Sequence, residues 1–505
     1  MTDPVRQSNW RQDYYWWIYF ASFCAWAVIN SFIVPEAPGG DIYLMKDAAV
    51  NLALGHGYLT CAQPDNLTLN FKLHASYPPV YPMLYAGYVS ICGFGIQQNM
   101  IFELACRALR NASLLFIVFL ITDSSKARKI FLTFCCLTIP ISLGIPDRPE
   151  DLSLAFMLFS LGLVHSADKI KTVLLASLVI VIACLTHPFG GITAIVTGSV
   201  VLLNRLYQRP ELDRVKWLSA WILPPCLLLT SAWTILWITA PDLIQRLLFH
   251  STQFGGTSYI TSSGGRSHWT ESFLHSLTEN HPIMLKTMGF ALVVVLNLFF
   301  FWRFGNRRMI ALFLFVILWS LTPLLIFLRS FEYKPYVAIA LTAFTALWLF
   351  SLAQKREAMV LFYVGISIVF LSIMPGFLKL FVGRCLLTAS SDFNPAQIHN
   401  FIPEDPHGDF FVAATSSAYF ELKSTNKIYY SDYASLDKSV KYLLILDDPD
   451  LLAIIHQKAV YPPGYKPEEW EVIHRPDIKL GNFSRYLVVT LLRSSAESVY
   501  KRKSP

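Results

Sequence analysis

Charge is what this 505-residue sequence lacks most: 15% of its residues are Asp, Glu, Lys or Arg, against 54% hydrophobic. A soluble chain normally carries about 25% charged residues, so composition argues against a water-soluble enzyme. Metal-type cysteine spacing is missing as well. The nine cysteines lie scattered, mostly in apolar runs, with no CxxC and no Cys/His pattern, which leaves no zinc or redox motif. There is no Gly-rich phosphate loop of the GxGxxG kind, no internal repeat and no low-complexity segment. The first apolar run, Trp16 to Val34, has no small-residue cleavage site and is expected to remain as a membrane helix. The net charge of +7 comes from basic residues beside the ends of apolar runs. That arrangement speaks for membrane topology, not for a nucleic-acid partner.

What is present is a succession of apolar runs near the length that crosses a hydrocarbon core of about 30 Å. Spans are expected at 16–34, 101–121, 130–146, 150–166, 172–189, 190–204, 216–239, 284–303, 309–328, 335–352 and 359–381. Basic residues mark every second connection: Lys126, Arg128 and Lys129; Lys169 and Lys171; Arg205, Arg209, Arg214 and Lys216; Arg303, Arg307 and Arg308; Lys355 and Arg356. Arg6 and Arg11 extend that set to the N-terminus. By the positive-inside rule these connections and the N-terminus are cytoplasmic. The other side then receives residues 35–100, 240–283 and the tail from about 384. No cytoplasmic connection is long enough to fold around a nucleotide, so chemistry driven by a nucleotide sugar or ATP is disfavoured.

The expected architecture is a polytopic α-helical membrane protein of about eleven transmembrane helices, with a membrane module at 1–383 and an extracytoplasmic α/β domain at 384–505. Strand-like runs in the tail include 410–414, 442–446 and 486–490. In the first loop, Ile42 to Leu54 carries apolar residues at helical spacing but is too short and polar to span, so it reads as an interfacial helix. A second such helix follows Pro78-Pro79 and runs to about Cys92. Cys61 and Cys92 share this loop and are expected to stay unpaired.

Gly40-Asp41-Ile42-Tyr43 is followed by Ala48-Ala49, Asn51-Leu52 and Gly55-His56-Gly57-Tyr58. Ser76-Tyr77-Pro78-Pro79-Val80-Tyr81-Pro82 and Arg148-Pro149-Glu150-Asp151 come next, then Glu332-Tyr333-Lys334-Pro335. In order, spacing and sidedness these resemble the first loop, the "YPPLYP" turn, the "RPD" loop and the "RY-x-x-P" helix start of the GT-C clan. The likeness is to the protein O-mannosyltransferase and aminoarabinose-transferase-like membrane enzymes, over roughly residues 16–380. Two departures stand out. The acidic pair of that first loop is a single Asp41 here, and the lysine that precedes the double proline in aminoarabinose transferases is Tyr77.

The resemblance implies a glycosyltransferase that moves sugar from a polyprenyl-phosphate donor to an acceptor hydroxyl, with inversion, on the non-cytoplasmic face of the inner membrane. Such transfer needs a base for the acceptor proton and positive charge for the departing phosphate. Asp41 matches the family's first-loop carboxylate and is the leading candidate base; as a residue it is also a good helix N-cap. Asp147, Arg148, Glu150 and Asp151 crowd one loop between two short spans, where charge is costly and usually functional. Glu150 and Asp151 are expected to support the reaction, and Asp147 with Glu150 could hold a divalent cation. Arg148, Arg329, Lys334, Lys72, His74, Arg266 and His268 are the candidate phosphate contacts, with Arg suited to bidentate binding. Tyr43, Tyr77, His187 and Tyr333 are candidates to shape the substrate site. The expected partners are membrane lipid, the lipid-phosphate sugar and an acceptor glycan, lipid or protein. The tail is expected to pack over the external loops and help choose the acceptor. A transporter or flippase, or a non-catalytic relative, are the alternatives; a transporter predicts charge inside spans, whereas here the core spans are expected to carry almost no mid-span charge, with acidic and basic residues gathered at their external ends.

Overall fold

The computed structural model describes residues 14–35, 42–60, 72–73, 78–121, 125–141, 147–187, 195, 198–199, 201–203, 205–207, 209–239, 381–386, 388, 395–405, 407–414, 418–430, 436, 438–454, 459, 461–462, 464–476 and 497–503. The expected spans between 284 and 352, most of those at 190–204 and 359–381, and the 240–283 loop lie outside them. Cys61 does too, while Cys92 is a free thiol.

Four apolar runs form helices within three residues of their expected bounds: α1 (Tyr14–Phe32), α7 (Glu150–Ser166), α8 (Ile170–Thr186) and α9 (Arg214–Thr239). Helix α5 (Ile96–Ile121) starts five residues before the expected 101, and α6 (Ser125–Thr138) starts and ends ahead of the expected 130–146. Among the described residues one helix, Arg214–Ile235 within α9, is long and apolar enough to cross a membrane by length and composition. The first loop supplies α2 (Ile42–Met45), α3 (Asp47–Ala53), the two-stranded pair β1 (Leu59–Thr60) and β2 (Lys72–Leu73), and α4 (Val80–Cys92). The single interfacial helix expected at 42–54 is therefore two. The break comes at Lys46, whose backbone leaves helical geometry (φ −121°, ψ −22°) as its side chain runs into the protein interior. α4 begins directly after Pro79, and Gly93 ends it in the left-handed region at φ +86°, its N–H bonded to the Val89 carbonyl.

An apolar core joins α1, α5, α6, α7, α8 and α9 through residues such as Tyr15, Leu115, Val118, Phe131, Leu161, Val173 and Trp221. On α7, Gly162 lets Phe116 of α5 approach so closely that an added Cβ would sit 2.6 Å from its ring. Hydroxyl-to-carbonyl bonds supplement the packing: Ser160 to Ala176 at 2.8 Å between α7 and α8, and Tyr19 to Ala108 at 2.6 Å between α1 and α5. At one end, Asp168 accepts from Arg205 (2.7 Å) and Arg209 (3.0 Å). These residues come from two connections that the basic-residue pattern assigned to one side of the membrane.

The tail holds a five-stranded sheet in the order β4-β3-β5-β7-β6, with β3 (Phe411–Ala414), β4 (Lys427–Tyr430), β5 (Val440–Ile445), β6 (Trp470–His474) and β7 (Ser498–Arg502). β3 runs parallel to β4 and β5, while β7 is antiparallel to β5 and β6. Two short helices, α10 (Tyr419–Leu422) and α11 (Pro449–Ile454), lie along the chain between these strands. The strand-like runs at 410–414 and 442–446 are thus realised as β3 and β5; the run at 486–490 lies outside the described residues. The tail is packed against the first loop: Ile42, Tyr43, Val50, Tyr81 and Tyr85 share one core with Ile402, Val412, Tyr419, Leu422 and Leu444.

Candidate functional site

Helix α5 begins with a stripe of polar groups. Asn99, Glu103, Arg107 and Arg110 follow at steps of four, four and three residues, which places them on one helix face, and all four are buried. This overturns the expectation that the spans carry almost no internal charge, since three of these residues fall within 101–121. The stripe ends eleven residues short of the helix end at Ile121 (121 − 110), so it occupies only the half nearest the first loop.

Lys46 descends onto the top of that stripe. It is 0% exposed, and its Nζ donates to Glu103 Oε1 at 2.5 Å, Asn99 Oδ1 at 2.7 Å and Asp147 Oδ1 at 2.9 Å. Three donors meet three acceptors, so the ammonium is saturated. The Tyr85 ring centroid lies 4.5 Å from Nζ, with the Tyr81 and Phe102 rings 5.4 and 5.3 Å away. Burial lowers the Lys46 pKa, and the Asp147 and Glu103 carboxylates reverse that, so the group ends raised above its ordinary value. Asn99 also donates to Asp147 Oδ1 at 2.7 Å, and Tyr81 donates to Glu103 Oε1 at 2.5 Å. Asp147 reaches this cluster only by adopting φ +67°, the one left-handed non-glycine residue in the described backbone. Such strain persists where the surroundings over-determine it, and it concentrates at functional sites.

The loop after Asp147 feeds α7, whose first turn carries Glu150 and Asp151 where the helix dipole favours acidic groups. Asp151 accepts from Arg110 Nη1 and lies 3.9 Å from Arg107 Nε. Arg148 Nε lies 3.0 Å from Glu150 Oε1, and buried His187 ends α8 within reach of the Arg148 charge. Lys46, Arg107, Arg110 and Arg148 thus stand against Glu103, Asp147, Glu150 and Asp151, four cations to four anions, each no more than 7% exposed. Removing one member of such a set strands a buried charge.

Of the candidates read from sequence, this seam unites Asp147, Arg148, Glu150, Asp151 and His187. Tyr43 is buried on the tail side, its hydroxyl donating to the Ala414 carbonyl at 3.2 Å. Lys72 is placed by its backbone on β2. Asp41, His74, Tyr77, Arg266, His268, Arg329, Tyr333 and Lys334 lie outside the described residues. Among the described residues no group of three or more His, Cys, Asp or Glu is placed to hold a metal; the Asp147 and Glu150 carboxylates face Lys46 and Arg148 instead. Sequence reasoning missed Lys46, Asn99, Glu103, Arg107 and Arg110. The i, i+4 stripe in α5 was the signal that could have found the last four.

No family profile and no curated protein sequence matches the chain. Solved structures do. The crystal structure of ArnT from Cupriavidus metallidurans bound to undecaprenyl phosphate aligns with a TM-score of 0.54 at 11% identity, over 97% of this chain and 98% of that one. The fold is GT-C. The apo state of the same ArnT aligns at TM-score 0.45 and 12% identity over 96% and 97% of the two chains. The Archaeoglobus fulgidus oligosaccharyltransferase tethered with an acceptor peptide aligns at 0.42 and 9%, over 88% of this chain and 70% of that one. Within the GT-C fold the ionic seam lies under the first loop, which in turn packs against the tail.

Proposed function

We propose that this chain is a multi-pass inner-membrane glycosyltransferase that takes a sugar from a polyprenyl-phosphate carrier and passes it, with inversion, to an acceptor hydroxyl on the non-cytoplasmic face. The observation that carries this reading is a fold shared over nearly the whole chain with a protein solved holding undecaprenyl phosphate. The first-loop and "RPD"-like motifs support it, because they run into the buried seam where α5 and α7 begin.

In this reading the Asp41 carboxylate takes the proton from the acceptor hydroxyl as its oxygen attacks the anomeric carbon. The bond from that carbon to the phosphate oxygen breaks, and the carrier leaves as polyprenyl phosphate. Attack opposite the leaving group inverts the centre. Lys72, His74, Arg266, His268, Arg329 and Lys334 are the cations proposed to receive the phosphate charge. Arg148, ion-paired to Glu150 through Nε, is proposed to join them, while Lys46, bound to its three acceptors, holds the frame on which the first loop rests. Glu150 and Asp151 then support the site by fixing Arg148 and Arg110. Tyr43, Tyr77, His187 and Tyr333 shape its walls.

The test uses purified full-length protein in lipid nanodiscs. Native mass spectrometry with undecaprenyl phosphate should show a bound carrier. Incubation with polyprenyl-phosphate sugars and membrane extract should release polyprenyl phosphate in proportion to protein, and Asp41→Asn should abolish that release while the carrier still binds. Neither binding nor release with any carrier sugar would refute the assignment.

A further inference from the structure

We infer that the C-terminal domain is a positioning device for the first loop, latched by Asp47, Tyr419 and Lys423. The link to turnover rests on the glycosyltransfer reading above; the latch itself does not.

Lys46 and Asp47 are consecutive, and both are buried, at 0% and 1% exposure. Lys46 stands at the break between α2 and α3 and Asp47 opens α3, and the two side chains serve opposite sides of the loop. Lys46 enters the seam formed by α5 and the α7 loop. Asp47 turns to the tail: its Oδ1 accepts from the Tyr419 hydroxyl at 2.8 Å and lies 2.7 Å from Lys423 Nζ. Its Oδ2 accepts from Thr60 Oγ1 at 2.6 Å and from Asn51 Nδ2 at 3.3 Å, both within the loop. One carboxylate therefore joins two donors of the tail to two donors of the first loop. Around it, Tyr43 packs edge-on against Tyr419 with centroids 5.0 Å apart, and Phe94 meets Phe420 at 5.3 Å.

The apolar contacts give adhesion, but they are non-directional and do not fix where α3 sits along the tail. Four donors converging on one buried carboxylate do. A slip of one residue would shift α3 by about 1.5 Å and rotate it by about 100°, breaking the Asp47 contacts and withdrawing Lys46 from Glu103 and Asp147 together. The tail thus sets the register of α2 and α3 in the first loop. An error of about 1 Å at a reacting group can cost a hundredfold in rate. Weakening the latch should lower turnover without changing which acceptor is preferred.

The experiment compares the wild type with Tyr419→Phe, Lys423→Met and Lys423→Arg, full-length in nanodiscs, by hydrogen exchange of residues 42–53 and by transfer kinetics. Lys423→Met should raise exchange across 42–53 by about tenfold and lower kcat by about ten- to a hundredfold. KM for the carrier sugar and the order of acceptor preference should hold. Lys423→Arg should recover most of the kcat, and Tyr419→Phe, which removes one hydroxyl and keeps the ring, should give a smaller loss of the same kind. Unchanged exchange in Lys423→Met, or loosened exchange with unchanged kcat, would overturn the inference, as would a loss confined to KM. A wild type without transfer activity would sink the functional reading alone, and the exchange measurement would still decide the latch.

Discussion

Helix α5 compares two ways of filling a buried helix face. From Asn99 to Arg110 it offers an amide, a carboxylate and two guanidiniums to Lys46, Asp147 and Asp151. From Leu114 to Val118 it offers only apolar side chains to α1, α6 and α7. The apolar half is stabilised by area and fit, and it loses stability in proportion to the atoms removed. The ionic half is held by mutual compensation: each charge tolerates burial only while its partner is present. The lower half should therefore degrade gradually under substitution, and the upper half should fail at once. The chain places its all-or-none region directly beneath the loop proposed to carry the base.

Lys46→Met is the largest test of that contrast. It keeps the length of the side chain and strands Glu103 and Asp147 together, at a cost of about 3–5 kcal/mol, read as a fall in melting temperature of the detergent-solubilised protein. Adding Asp147→Asn and Glu103→Gln to Lys46→Met should recover much of that loss, because the uncompensated charges then vanish. A loss under 1 kcal/mol for Lys46→Met alone would show that the seam is wet and the comparison false. Gly162→Ala probes the other half. Its Cβ would press on the Phe116 ring at 2.6 Å, and relief by side-chain movement sets the cost at about 1–3 kcal/mol. Smaller again is Ser160→Ala, which removes the hydroxyl bond to the Ala176 carbonyl. Such bonds between helices in a membrane average about 0.6 kcal/mol, so a shift at the edge of detection is expected. A loss above 2 kcal/mol would mean that polar contacts dominate the packing of the apolar core that the lower half of α5 shares with α7 and α8.

These contrasts also explain what could be read from the sequence. The helices α1, α7, α8 and α9 were legible because an apolar run of the right length has few other fates. The loop motif at 147–151 was legible because four charged residues in five positions near a span are conspicuous. Glu103, Arg107 and Arg110 escaped notice because single charges at intervals of three or four look like interruptions until they are placed on a helix face. Lys46 escaped because the Ile42 to Leu54 pattern reads as one amphipathic helix with its charges in water; only tertiary contact shows the chain breaking there. The tail strands β4, β6 and β7 were missed for a simpler reason. Charged residues at the start of β4 (Lys427) and inside β6 (Glu471) and β7 (Lys501) leave no continuous apolar run of the kind that marks β3, which is no longer than they are. The pairing of Asp47 with Lys423 joins positions 376 apart (423 − 47), which no local pattern can encode.

The smallest expected effect is none at all, and it tests whether the ionic half acts as a proton switch. Lys46 is held by Asp147 and Glu103 with its pKa above the ordinary 10.5. A group whose folded value is raised contributes stability that is complete below its unfolded value, about 10.4 for Lys, and that fades only as pH climbs through the folded value. The difference in melting temperature between wild type and the triple variant Lys46→Met, Glu103→Gln, Asp147→Asn, in which no stranded carboxylate can titrate, should therefore stay constant from about pH 7 to pH 9.5. A gap that closed within that window would mean that Lys46 sheds its proton in the folded protein. Desolvation would then outweigh the two carboxylates, and the upper half of α5 would be a titrating site instead of a fixed frame. A constant gap keeps the two halves distinct: one held by shape, the other by charges that hold their state across the working range of the protein.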